Sequence, residues 1–184
     1  KSFYLRNTAY YLAGLAAILF VISYFLPFLF TLAILVLVLL GIAIMLDAVL
    51  LYGQRHAMLA HRQTAERFSL GDNNKVLIVI TNGYEFKVTL MVVDEIPFQF
   101  QDRNWQRKME LRKKETINLE YFLNPKERGT YEFGKTILYV FGPLQLVTRR
   151  FSFPVEQTVI VYPSYLQMRR YQLMASSNHL QQGG

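Results

Sequence analysis

The chain has 184 residues, of which 52% are hydrophobic and only 18% are charged. This composition excludes an intrinsically disordered chain, which is rich in charge and poor in aromatic residues. Cysteine is absent, which excludes disulfides, thiolate zinc sites and thiol nucleophiles. The net charge of +7 favours an anionic partner or a membrane surface.

The first fifty residues have the composition of membrane-spanning helices. Residues 7–46 contain no Asp, Glu, Lys, Arg or His, and this run is about twice the length that one transmembrane helix needs. Pro27 lies near its middle and predicts a break between two helices. We therefore expect a two-span transmembrane hairpin over residues 1–52, with spans at about 9–26 and 28–52.

Basic residues flank this hairpin on one side of the membrane. Lys1 and Arg6 precede the first span, and Arg55, Arg62 and Arg67 follow the second. The turn between the spans carries no charge, so the positive-inside rule places both ends in the cytoplasm. A cleaved signal peptide over residues 1–26 is the alternative interpretation.

Small residues recur within both predicted spans. Ala9, Ala13 and Ala17 lie four residues apart on one helix face, and Gly41 is a small residue on the second span. Such faces allow close helix packing, so these residues are candidates for packing within the hairpin or for docking another membrane protein. We expect the second helix to continue past the bilayer as a juxtamembrane helical linker over residues 53–65.

From residue 66 the hydrophobic period changes to two. Phe86, Val88, Leu90 and Val92 alternate with more polar residues, and similar runs recur between turn signals as far as Pro163. Seven to nine short strands in about 100 residues predict an all-β, immunoglobulin-like sandwich over residues 66–163. Residues 164–184 are expected to form a short helix and a linker to a missing C-terminal region.

Sequence motifs for chemistry are missing. The chain has no glycine-rich phosphate loop, no GxSxG and no HExxH motif. Asp94 and Glu95 precede Ile96-Pro97, which predicts solvated charges at a strand end. We therefore expect no enzymatic activity, no cofactor or metal site and no small-molecule substrate.

Basic clusters and one glycine corner remain to be explained. These clusters could form a solvated face, contact the anionic inner leaflet or dock an acidic protein. They are Arg107-Lys108, Arg112–Lys114, Arg149-Arg150 and Arg169-Arg170. They carry no recognition motif for nucleic acid, so a nucleic-acid partner is not expected. Gly129 permits a tight corner between strands, at which Tyr131 can bond back as a corner tyrosine.

Several stretches of the chain together resemble a known family. They are Arg67–Asn74, Val93–Pro97, Leu123–Gly134 with the motif LNPKERGTYEFG, Phe141–Arg150 with FGPLQLVTRR, and Val161–Pro163. In this order, and after a two-span hairpin, they resemble the N-terminal part of the membrane protein family called "domain of unknown function 58". The likeness covers almost the whole chain.

The resemblance implies a role and partners. Family members are usually encoded beside MoxR-type AAA+ ATPases and von Willebrand factor A proteins, as in the aerotolerance (Bat) gene neighbourhood, and look like membrane adaptors for assembly or chaperone activity. They continue into a von Willebrand A-like region, and Gly183-Gly184 lies about where that region would begin. Among the basic side chains in the shared motifs, Arg128, Arg149 and Arg150 are the candidate protein contacts.

The sequence thus predicts a multi-pass protein of the bacterial inner membrane with its β-sandwich in the cytoplasm. Its predicted function is that of a non-enzymatic adaptor whose partners are the lipid bilayer, a MoxR-type ATPase and von Willebrand factor A-domain membrane proteins. The alternative is a structural subunit of a secretion or transport complex in the cell envelope, which would contact its partners through the hairpin.

Overall fold

The structure is a computed structural model that describes residues 2–54, 57–102, 105–154 and 156–163. Two α-helices occupy the N-terminal part, and β-strands make up most of the rest. The helices are α1 (Asn7–Ile22) and α2 (Phe28–Tyr52). The strands are β1 (Ser2–Leu5), β2 (Met58–Thr64), β3 (Arg67–Ser69), β4 (Asn74–Asn82), β5 (Val88–Asp94), β6 (Gln106–Leu111), β7 (Thr116–Leu123), β8 (Gly129–Phe133), β9 (Thr136–Phe141), β10 (Val147–Phe153) and β11 (Gln157–Tyr162).

The break between the two helices falls where the sequence predicts it. A short turn follows Ile22, and Pro27 is the N-cap of α2. Proline suits the start of a helix because its missing N–H would have no partner in the first turn. The Phe20 and Phe30 rings meet edge to face with their centroids 5.9 Å apart, so α1 and α2 pack against each other beside the turn.

The two helices differ in length. The 25-residue α2 has a mean hydropathy of 3.1 over its most apolar 18-residue window, of which only 11% is buried. By length and composition α2 could cross a membrane. The apolar α1 has 16 residues and is shorter than the roughly 20 residues of a typical span.

The strands form a β-sandwich, which confirms that part of the predicted fold. One sheet has the order β1-β10-β9-β5-β6, and the two others have the orders β3-β11-β8 and β2-β4-β7. Alternate side chains of the central strands share one core, to which Ile78 of β4, Leu90 of β5 and Leu138 of β9 each contribute a fully buried side chain. This is the period-two pattern of strands with one buried face.

The sandwich takes more of the chain than predicted. Residues 53–65 do not form the expected helical linker, because α2 ends at Tyr52 and Met58–Thr64 is strand β2. The part of the sandwich that follows the helices therefore begins at residue 58 and not at 66. The backbone N–H and C=O groups of strand β2 form hydrogen bonds with the central strand β4, to which β2 runs antiparallel. Strand β1, before the helices, pairs with β10. The helix and linker predicted over residues 164–184 lie outside the described residues.

The predicted small-residue packing face is only partly correct. Ala9 is buried, but Ala13, Ala17 and Gly41 are exposed. The buried small residues are Ala9 and Ala16 on α1 and Ala33 on α2. Positions seven apart return to the same helix face after two turns, whereas positions four apart drift by about 40° at each step. A Cβ added at Gly41 would meet nothing within 4 Å, so close packing does not depend on that glycine.

The corner predicted at Gly129 and Tyr131 is confirmed. Gly129 has a φ of 142°, a backbone conformation that favours glycine. The buried Tyr131 hydroxyl donates a hydrogen bond to the Glu127 carbonyl oxygen at 2.9 Å. The hydroxyl thus ties strand β8 to the loop before it.

Candidate functional site

A buried carboxylate joins α2 to the sandwich. Asp47 lies near the end of α2 and is fully buried. Its Oδ1 accepts the backbone N–H of Leu144 at 3.0 Å, and its Oδ2 accepts the N–H groups of Leu146 at 3.0 Å and Val147 at 2.9 Å. Three donors on one carboxylate form a charge-assisted network that offsets the cost of burying the charge.

The loop between β9 and β10 is shaped to hold this carboxylate. The Gln145 N–H bonds to the Gly142 carbonyl at 2.9 Å, which turns the following amides toward the helix. A Cβ at Gly142 would stand 2.2 Å from Asp47 Oδ1, so a side chain there would displace the carboxylate or the loop. The loop segment FGPLQLV over residues 141–147 is therefore the binding site for the end of α2.

A second set of contacts caps the last turn of α2. Arg149 is buried, and its Nη1 donates to the carbonyl oxygens of Leu51 and, at 3.0 Å, of Gln54. Its guanidinium lies 4.8 Å from the ring centroid of Tyr52 and 4.5 Å from that of Phe151. The final carbonyls of a helix have no intrahelical donors, and a cation at this end also complements the helix dipole.

Tyr84, in the loop between β4 and β5, completes the cap. Its hydroxyl donates to the Leu51 carbonyl at 2.7 Å, and its side chain is fully buried. Burial raises the pKa of Tyr84 to about 12, and the nearby Arg149 guanidinium only partly offsets this. The hydroxyl therefore keeps its proton at neutral pH and remains a donor. We call this assembly of Asp47, Leu51, Tyr84, the 142–147 loop and Arg149 the α2 joint.

A second buried polar cluster lies inside the sandwich. Arg62 Nη1 and Asp94 Oδ1 are 3.4 Å apart, and both side chains are fully buried. Thr136 Oγ1 donates to Asp94 Oδ1 at 2.8 Å, and the Tyr121 hydroxyl donates to Oδ2. Arg62 Nη2 donates to the Gly134 carbonyl oxygen. Four strands, β2, β5, β7 and β9, thus contribute a residue to one network.

This cluster corrects the prediction for Asp94. The carboxylate is buried and not a solvated strand-end charge, whereas Glu95 is exposed as predicted. Burial raises the pKa of Asp94, and the Arg62 guanidinium acts in the opposite direction. The network is enclosed by protein, so its geometry fits a role in fixing strand register and not in chemistry on a substrate.

The three predicted contact arginines do not form one surface. Arg128 is exposed in the loop before β8, and Arg150 is half-buried beside Tyr139 of the neighbouring strand. Arg149 points to the opposite face of the sheet and is buried in the α2 joint, so it is not available as a surface contact. The sequence signal for the joint is Asp47 itself, because an ionisable residue at the end of an apolar helix must have a partner.

A different surface stands out at the far end of the sandwich. A cavity of about 300 Å³ lies between the Phe98–Gln101 segment and the loop after β7. Phe98 at its rim is 76% exposed, and Lys126 and Tyr131 line its other side. No group of three or more metal-ligating side chains that could hold an ion occurs within the described ranges.

Comparisons with known proteins show only general likeness of fold. No family model and no curated protein matches the chain. The CARDB domain of the PF1109 protein from Pyrococcus furiosus is 13% identical, with a TM-score of 0.41 over 57% of this chain and 87% of that chain. A PapD-like domain of human CEP192 is 8% identical, with a TM-score of 0.37 over 57% of this chain and 86% of that one.

A third similar structure is the PKD domain of an M14-like peptidase from a Thermoplasmatales archaeon. It is 10% identical, with a TM-score of 0.34 over 56% of this chain and 92% of that chain. All three are generic immunoglobulin-like domains, and at this level of similarity they carry no argument about function.

The buried cluster yields a prediction about stability. Asp94→Asn leaves the Arg62 charge buried without its counter-ion, so we expect a loss of about 3–5 kcal/mol in the free energy of unfolding. The double variant Arg62→Met/Asp94→Leu removes both charges and should recover part of that loss, since the Tyr121 and Thr136 hydroxyls still lose their acceptor. Chemical denaturation of the full chain in detergent measures both values. A double variant as unstable as Asp94→Asn would contradict the account.

Proposed function

We propose that the chain is a membrane-anchored adaptor of the bacterial inner membrane, in which α1 and α2 both span the bilayer and fix the sandwich at its cytoplasmic surface. The α2 joint is the observation that carries this proposal. Its contacts place the end of an apolar helix inside the hydrophobic core of the sandwich, with Leu51 fully buried. The domain is therefore attached to its anchor by direct contacts with the end of α2.

The dimensions of α2 fit this arrangement. Its apolar part, residues 28–46, is about 28 Å long at 1.5 Å per residue, close to the hydrocarbon thickness of a bilayer. The first charge after this part is Asp47, and its partners in the 142–147 loop belong to the sandwich. The sandwich would thus begin at the depth where the hydrocarbon ends.

The turn between α1 and α2 supports the proposal that α1 also spans the bilayer. Although α1 is only 16 residues long, the turn after it carries Tyr24 and Phe25, which are 85% and 78% exposed. Aromatic side chains favour the membrane–water interface, and a short span is accommodated by local thinning of the bilayer. The turn would thus lie at the periplasmic interface.

The charge of the sandwich supports a cytoplasmic location. The loops beside the α2 joint carry four cations against two carboxylates. These cations are Lys87, Arg112, Lys113 and Lys114, and the carboxylates are Glu85 and Glu115. Lys87 also pairs with Glu110 on the neighbouring strand β6. Lys114 Nζ donates to the Gly83 carbonyl and pairs with Glu85, which leaves Arg112 and Lys113 exposed near the expected headgroups. Anionic lipids of the cytoplasmic leaflet attract such juxtamembrane cations.

The adaptor role needs a surface for a partner away from the membrane. The cavity beside Phe98 lies at the end of the sandwich opposite the α2 joint, with Arg128 in the loop before β8. An exposed aromatic side chain at the rim of a cavity is typical of a protein contact. The resemblance to the family suggests that a MoxR-type AAA+ ATPase, together with von Willebrand factor A-domain proteins, binds there.

Site-specific labelling tests the membrane topology, and the absence of cysteine makes it direct. We expect a membrane-impermeant maleimide to label Tyr24→Cys in intact spheroplasts, because the turn faces the periplasm. Thr158→Cys on β11, the matched exposed site, should be labelled only after the membrane is opened. Labelling of Thr158→Cys in intact spheroplasts would contradict the cytoplasmic location of the sandwich.

Affinity purification of the full-length protein from crosslinked native membranes, with and without ATP, tests the adaptor role. We expect mass spectrometry to find a MoxR-type ATPase whose recovery depends on ATP. Phe98→Ser should abolish this recovery, while Phe122→Ser, at an exposed phenylalanine on strand β7, should not. Recovery of integral membrane proteins alone, unaffected by ATP, would instead support a structural subunit that binds through the hairpin.

A further inference from the structure

A polar groove lies where the chain passes from the sandwich into α1. It has a volume of about 620 Å³ and is open on one side. Its lining residues come from the end of β1, the first turns of α1 and the outer faces of β9 and β10. They are Tyr4, Leu5, Arg6, Asn7, Thr8, Tyr11, Tyr139 and Thr148. We call it the β1–α1 groove.

We propose that the β1–α1 groove binds the phosphate headgroup of an anionic phospholipid. This inference rests on the proposed membrane insertion of α1. The lining offers one guanidinium, three tyrosine hydroxyls, two threonine hydroxyls and one asparagine amide, and it contains no carboxylate. Phosphate oxygens are strong acceptors, so a groove rich in donors and free of negative charge suits a phosphate ester.

Arg6 is held in position by the sandwich. Its guanidinium lies 4.8 Å from the ring centroid of Phe141, and its Nη1 donates to Gln145 Oε1. Its backbone N–H bonds to the Leu146 carbonyl at 2.9 Å. Among the described residues no carboxylate forms a salt bridge with Arg6. An arginine with a neutral amide as its partner keeps its charge and further N–H donors for an anion.

A second cation flanks the groove. Arg150 pairs with Tyr139 across β10 and β9, which places both side chains on the outer face of the sheet. Thr148, two residues earlier on β10, lies on the same face and lines the groove. The half-buried Arg150 thus adds positive potential at the far side of the groove.

The position of the groove favours a lipid over a soluble phosphate compound. Arg6 directly precedes α1, and Gln145 belongs to the loop that holds Asp47 at the end of the apolar part of α2. Tyr11 at the edge of the groove is 75% exposed, and Leu15, one turn further along α1, is 54% exposed. A headgroup in the groove would therefore leave its acyl chains along α1, within the hydrocarbon layer.

Lipid binding to the full chain in detergent tests this proposal. Native mass spectrometry would follow titration with phosphatidylglycerol, and inorganic phosphate would be added in a competing arm. We expect one tightly bound phosphatidylglycerol, and Arg6→Gln should weaken it about tenfold or more because a charged hydrogen bond is lost. Arg128→Gln removes the same charge at the opposite end of the sandwich and should have no effect.

Several outcomes would overturn the proposal. Equal lipid affinities of the wild type and Arg6→Gln would show that Arg6 does not bind the headgroup. Equal weakening by Arg128→Gln would show that the lipid is attracted only by the net charge of the protein. Displacement of the lipid by millimolar inorganic phosphate would indicate a site for a soluble anion. A second variant, Thr148→Val, removes a hydroxyl from the groove and leaves the Arg6 contacts to Gln145 and Phe141 intact. It should weaken lipid binding less than Arg6→Gln does, and unchanged binding in both variants would place the lipid elsewhere.

The proposed function can fail separately from this inference. If Tyr24→Cys is labelled from the periplasm but no lipid binds, the anchor stands and only the lipid site is wrong. If Tyr24→Cys is not labelled, insertion of α1 fails, and the lipid site fails with it.

Discussion

A carboxylate at the end of an apolar helix must find hydrogen-bond donors, and this requirement organises the rest of the molecule. Asp47 finds three backbone N–H groups in the loop between β9 and β10, and only a glycine at position 142 leaves room for it. Arg149 and Tyr84 then satisfy the carbonyls at the end of the helix. Leaving such buried groups without partners would cost several kcal/mol, so the helix and the sandwich hold each other in one relative position.

The same principle operates inside the sandwich. Arg62 and Asp94 are buried together with the hydroxyl groups of Tyr121 and Thr136. Most other pairings of their strands would leave one of the two charges buried without a partner. A slip of one residue would turn these side chains to the opposite face of their sheets. The two buried polar assemblies therefore have different roles. The α2 joint fixes the position of the sandwich relative to α2, and the cluster around Arg62 and Asp94 fixes the register of the strands.

Periodicity was sufficient to predict the elements but not their polar partners. The break at Pro27, the β-sandwich and the Tyr131 corner follow from local rules about proline, alternation and glycine. The sequence predicts that the second helix continues through residues 53–65, but Met58–Thr64 is strand β2, whose backbone groups pair with those of β4. This pairing is a contact with a distant strand, which the local pattern of β2 does not reveal. The sequence predicts exposed positions for Arg149 and Asp94, because charge alone does not reveal burial. Their partners lie 95 and 42 residues away, at Gln54 and Thr136, and only the folded structure brings them together.

A distance measurement across the α2 joint tests this account most directly. Spin labels at Met45→Cys on α2 and Thr158→Cys on β11 can be placed without interference, because the chain has no other cysteine. In lipid nanodiscs we expect one narrow distance distribution for the otherwise native chain. Asp47→Asn places an amide N–H group among the backbone donors, which it repels, and should therefore broaden the distance distribution. Glu156→Gln, on the exposed surface, should leave the distribution narrow. A distribution that Asp47→Asn leaves unchanged would contradict the claim that this carboxylate fixes the sandwich to its anchor.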